Sequence, residues 1–124
     1  MSTMNIQLYR FEVLLILALA GCAIQTRISY RQDVAPILEA KCRECHLPPK
    51  GSGYLKSGLS MASYESLMKG TIYGPVIVPG DSLHSVLNMV VEDRLNTSMR
   101  PPQHLTRKEI AILRLWVDQG AENN

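Results

Sequence analysis

The chain has 124 residues, 46% apolar and 6% aromatic, and its 13 Lys+Arg against 11 Asp+Glu leave a net charge of +2. That length holds one domain, or one domain plus a processing segment, and excludes two independent cores. So balanced a charge excludes a strongly basic nucleic-acid binder and an acidic solvating tail.

The apolar content is concentrated at the start, where Val13-Leu14-Leu15-Ile16-Leu17-Ala18-Leu19-Ala20 runs unbroken behind a polar leader containing Arg10. Eight residues rise only about 12 Å as a helix, against a hydrocarbon core of about 30 Å, so the run fits a signal-peptide core better than a spanning helix. Leu19-Ala20-Gly21-Cys22 follows and resembles the bacterial lipobox, in which the cysteine is acylated and the chain is cut before it. The alternative is a plain hydrophobic helix with a free Cys22. Residues 1–21 are therefore read as a lipoprotein signal peptide, 22–30 as a lipidated tether and 31–124 as the working domain. Residues 23–29 reach at most about 25 Å when extended, which keeps that domain at the periplasmic face of a bacterial membrane. Cleavage removes Phe11, the only phenylalanine, and leaves Tyr30, Tyr54, Tyr64, Tyr73 and Trp116 as the large rings. A domain so small and so poor in rings gains from a non-protein filler in its core.

Asp33 is placed to cap a helix over 34–41, with Val34, Ile37 and Leu38 on its inner face and Pro36 in its first turn. That helix delivers Cys42-Arg43-Glu44-Cys45-His46, the C-x-x-C-H pattern of covalent c-type haem attachment. Two thiols three residues apart on one turn reach the two vinyl groups of one porphyrin, and the adjacent imidazole is carried under the ring to ligate iron. Two other readings compete. A redox disulfide expects a βαβ context that this chain lacks. A zinc site would need His84 and His104 as remote ligands, and they do not form the short paired spacing usual there. With Cys22 acylated and Cys42 and Cys45 in thioether links, no cysteine is left over.

Residues 47–58 are rich in Pro, Gly and Ser and read as a loop. A short helix is expected over Tyr64–Lys69, with Ser63 as cap and Gly70 as stop, and another over about 82–91, capped by Asp81 or starting late at Ser85. Between them, two Gly/Pro pairs bracket Val76-Ile77-Val78 in an extended connector. The sixth iron position has six candidates: Met61, Met68, Met89, Met99, His84 and His104. Met68 and Met89 fall in helical stretches and read as core fillers, and Met61 is a weak competitor in a turn. Met99 sits in a polar loop stiffened by Pro101 and Pro102 and is favoured, with His104 as runner-up. The last helix carries the clearest signals. Thr106 and Glu109 form a capping box flanked by Leu105 and Ile110, Leu113, Trp116 and Val117 continue the inner stripe, and Gly120 closes it.

From Asp33-Val34-Ala35-Pro36-Ile37-Leu38 through the C-x-x-C-H motif, Gly58-Leu59, Val78-Pro79-Gly80-Asp81 with Ser85, and Met99 before Pro101-Pro102, to Leu115-Trp116-Val117-Asp118-Gln119-Gly120-Ala121, residues 31–121 resemble class I cytochromes c. Within that family they are most similar to the planctomycete-type domain, although Arg100 separates the methionine from the prolines. The resemblance implies an all-α fold of three to five helices around one covalently bound haem c, held by Cys42 and Cys45, with His46 and Met99 as iron ligands. It implies a single-electron carrier rather than an enzyme, serving redox partner proteins or docking onto a larger haem complex. A haem sensor or peroxidase-like enzyme with a labile sixth ligand is the alternative. Pro48 or Pro49 is expected to offer a carbonyl to the His46 ring N–H. Lys41, Arg43, Lys50 and Lys56 flank the motif and either steer an acidic partner or form a solvated surface of mixed sign.

Overall fold

The structure, a computed structural model, describes residues 26–97 and 105–124. Among them are a π-helical turn, Tyr30–Val34, and five α-helices: α1 (Ala35–Lys41), α2 (Ser52–Ser57), α3 (Tyr64–Lys69), α4 (Val86–Val91) and α5 (Arg107–Asp118). No strand is present among the described residues, and the fold is the expected small all-α one.

The first helical stretch starts earlier than the Asp33 cap implied. Ser29 Oγ accepts from Gln32 N–H, while the Asp33 carboxylate reaches back to Ser29 N–H at 2.8 Å. Ser29 is therefore the cap, and Asp33 is its reciprocal partner inside the turn. Pro36 falls in the first turn of α1, where a missing N–H costs little. Val34, Ile37 and Leu38 are buried as expected.

At the other end, the Thr106–Glu109 capping box forms and α5 buries Leu113, Trp116 and Val117. Gly120, at φ +106°, takes the backbone conformation that ends the helix. The Trp116 ring lies 5.5 Å from Tyr30 and 6.4 Å from Tyr64, where the two terminal helical stretches meet. The polar tips are satisfied: Trp116 Nε1 donates to Glu122 O at 3.0 Å and Tyr64 OH to Ala121 O at 2.7 Å. The chain around residues 26–31 is laced to the segment after α5. Ile28 N–H donates to Gln119 Oε1, Tyr30 N–H to Asn124 Oδ1 and Arg31 N–H to Asn124 O, and Arg27 pairs with Glu122.

Ser63 caps α3 and Gly70 ends it, as the sequence predicts. Helix α4 takes the later of its two possible starts. Asp81 instead accepts from His84 N–H in a separate turn, and the buried Ser85 hydroxyl donates to Asp81 O while accepting from Val78 N–H. The connector supplies an acceptor for the new helix, since Leu87 N–H donates to Val76 O at 3.0 Å. After α4, the nearly buried Glu92 carboxylate accepts from Arg94 and from Arg114 of α5, and Arg94 also donates to the Ser82 and Leu83 carbonyls. Asn88 is the exception to this satisfied network: it is fully buried with both amide atoms unpaired, at a cost of about 1–3 kcal/mol per group. No helix among the described residues is long and apolar enough to cross a membrane.

Candidate haem-binding site

Helix α1 ends at Cys42, whose N–H still donates to Leu38 O. The next turn closes when His46 N–H donates to Cys42 O at 3.0 Å. Both thiols are free and half-buried on this turn. Burial, and then the neighbouring Cys45, push the Cys42 thiol up to about 11, so it stays protonated at neutral pH.

The His46 ring is 6% exposed, and its Nδ1 lies 3.2 Å from the Leu59 carbonyl. A carbonyl only accepts, so Nδ1 carries the proton, and in the neutral ring Nε2 keeps its lone pair, with no hydrogen-bond partner among the described residues. The expected acceptor, Pro48 or Pro49, is thus corrected to Leu59. Met61 N–H donates to His46 O at 2.8 Å, and this bond draws the 59–61 segment alongside the motif.

Helix α2 forms over Ser52–Ser57, within the stretch 47–58 that the sequence suggested was a loop, while residues 47–51 stay non-helical. Its first N–H groups have no side-chain cap; Gly53 and Tyr54 donate instead to Cys45 O at 2.8 and 3.0 Å. The haem motif is therefore the cap of the next helix. The close approach needs glycine twice. A Cβ on Gly51 would lie 2.5 Å from Cys45 O, and one on Gly53 would lie 2.6 Å from His46 Cε1 and 2.7 Å from Nε2. Sequence reasoning missed both glycines. Their only signal was the Gly51-Ser52-Gly53 spacing, which reads equally as a linker.

The sequence matches the planctomycete cytochrome C family over residues 42–104, just over half of the chain. No curated protein and no solved structure matches it. The chain belongs to the planctomycete cytochrome C family.

A cytochrome c domain implies haem c, and the residues of this cytochrome fit that group. Two uncommitted thiols and an imidazole with a free Nε2 share one turn, and Gly53 leaves the ring the space a side chain would fill. Among the described residues, no three His, Cys, Asp or Glu side chains gather as a metal site.

Of the candidates for the sixth position, Met61 is buried in the core and Met68 packs against it. His84 is not brought to the motif; its side chain is 74% exposed and its Nδ1 lies 2.7 Å from Asp81. Met99, His104 and the proposed lipidation residue Cys22 lie outside the described residues. Of the four flanking cations in this cytochrome, Arg43 is paired with Glu39, while Lys50 and Lys56 are exposed with no ion pair among the described residues.

Proposed function

We propose that this protein is a mono-haem electron carrier, attached through Cys42 and Cys45, ligated by His46 and Met99, and tethered to the periplasmic face of a membrane by acylated Cys22. The observation that carries the reading is the His46 ring: buried, with Nδ1–H held by the Leu59 carbonyl and the Nε2 lone pair left to ligate a metal. The bound haem iron supplies a one-electron couple. The chain's part is to hold it. The Leu59 carbonyl fixes the imidazole tautomer and raises its basicity as a ligand. Gly51 and Gly53 let α2 close over the motif. A thioether from Met99 favours the ferrous state and raises the potential. Electron transfer asks for no bond-making side chain, and none is assigned; redox proteins or a larger haem complex are the partners.

The haem-sensor or peroxidase-like alternative needs polar groups at an open sixth position. The described candidate for that role, His84, is held at the surface by Asp81. A pyridine haemochrome spectrum of the purified protein tests the central claim: a c-type band is expected, and its absence removes covalent haem. The ferric protein should show the weak long-wavelength band of sulfur ligation, lost in Met99→Ala; survival of the band in that variant defeats the ligand assignment. Cys22→Ser should release the protein from membranes.

A further inference from the structure

The turn between α3 and the connector has an unusual tip. Turn tips favour Gly, Pro, Asn and Asp, yet here Ile72 and Tyr73 stand 72% and 87% exposed. Every backbone N–H from Thr71 to Gly74 is hydrogen-bonded. Thr71 and Gly74 exchange both backbone hydrogen bonds, and Tyr73 N–H donates to Thr71 Oγ1 at 3.0 Å. Ile72 N–H donates to Ser57 O at 2.9 Å, which ties the tip to the end of α2. Gly70 and Gly58 permit the fit. A Cβ on Gly70 would collide with Gly74 O, and one on Gly58 would lie 2.7 Å from an Ile72 methyl. Leu55, 69% exposed on α2, belongs to the same element. Lys56 and Lys69 flank the turn, both exposed and neither in an ion pair among the described residues; across α2, α3 and the turn, Glu65 is the only carboxylate.

We propose that Ile72 and Tyr73 form a preformed apolar knob that docks this cytochrome onto an acidic redox protein, by filling a shallow apolar pocket rimmed with carboxylates. The inference rests on the electron-carrier reading. A rigid knob binds with little ordering cost, and tyrosine with a fixed backbone is a favoured anchor residue. The unpaired lysines supply complementary charge, which steers encounter and sets its salt dependence. Location gives the knob its purpose: it is bonded to α2, whose inner side packs on His46 and caps on Cys45. A partner seated there lies against the element that holds the haem ligand.

The test uses the haem-loaded full chain, with an acidic blue-copper protein as probe and hexacyanoferrate(III) as a small oxidant that needs no docking. In stopped-flow at low salt, Tyr73→Ser and Ile72→Ser should lower the second-order rate with the copper protein by about tenfold each and leave the hexacyanoferrate rate unchanged. Lys56→Glu with Lys69→Glu should lower the copper-protein rate and flatten its salt dependence. Tyr73→Ser changes an exposed side chain and is the deciding variant; Ile72→Ser also gives up a methyl contact at Gly58, so an unchanged melting temperature is required of it. Wild-type rates in all variants overturn the docking proposal and leave the carrier reading standing. Failure of the wild-type protein to transfer an electron even to hexacyanoferrate sinks the carrier reading itself. Amide exchange separates a protein occupant from a lipid one: added copper protein should protect residues 69–74, and protection by phosphatidylglycerol vesicles instead overturns the proposal.

Discussion

Placing a single methyl group on Gly53 sets two opposed effects against each other. Gly53 is the second residue of α2, and its φ is not in the left-handed region. By backbone propensity alone, Gly53→Ala should stabilise the helix by about 0.5–1 kcal/mol. Against this, the new Cβ would lie 2.6, 2.7 and 3.0 Å from three atoms of the His46 ring. Such overpacking costs about 1–3 kcal/mol. The ring is tied to the Leu59 carbonyl through Nδ1, so moving away breaks a hydrogen bond worth about 1 kcal/mol. The steric effect wins, with a net loss of about 1–3 kcal/mol, or a fall in Tm of roughly 5–15 °C for a domain of this size. Thermal melting of the haem-loaded protein measures it, with Ser52→Ala in the same turn as a control that should change little. The ferric spectrum should shift as well, because the displaced ring is the proposed iron ligand. A Gly53→Ala protein that melts at or above the wild-type temperature with an unaltered spectrum would falsify the close packing of α2 on His46.

Three further outcomes follow from the same contacts. Glu92→Gln replaces the carboxylate that joins Arg94 to Arg114 and should cost about 2 kcal/mol in urea unfolding; an unchanged midpoint would mean that the cluster contributes nothing. Tyr64→Phe removes the bond to Ala121 O and should cost about 1 kcal/mol, with faster amide exchange in the last residues as the accompanying sign. Glu109 is held below its ordinary value of 4.5, first by the Thr106 N–H. Its contribution is therefore present above that value and lost as pH falls through the lower folded value. Glu109→Gln should be less stable than wild type at neutral pH, and melting curves taken into acid should show the gap closing; a gap constant with pH would rule out the capping carboxylate as its source.

The parts of this molecule that were readable in advance carry their own local signals. Thr106 with Glu109, Ser63 with Gly70, and the Val34, Ile37, Leu38 stripe each declare themselves within a few residues, and each forms as expected. Helix α2 was not readable because none of its residues is buried, so no apolar period marks it, and its cap is a backbone carbonyl supplied by Cys45. Leu59 was missed for a related reason. Any residue can offer a carbonyl, and only the His46 O to Met61 N–H bond brings this one within reach. The Asp33 cap failed by competition, since Ser29 offers the same chemistry four residues earlier. Cys42, Cys45 and His46 share one turn, as their fixed spacing in the sequence requires, with both thiols free and the imidazole buried.

The lacing of residues 26–31 to the segment after α5 changes how the proposed anchor acts. Gln119 Nε2 already donates to Thr26 O at 3.2 Å, so the slack between the fixed body and a lipid on Cys22, if that residue is acylated as proposed, would be only the span from residue 22 to residue 26. Four steps of extended chain reach at most about 14 Å. The tether then works as a mount rather than a leash. If Cys22 is acylated as proposed, the body would spin and tilt a little but would not turn over freely, and one side would stay toward the lipid. A carrier mounted in this way meets its partners by drifting sideways in the plane of the membrane, and its search becomes two-dimensional.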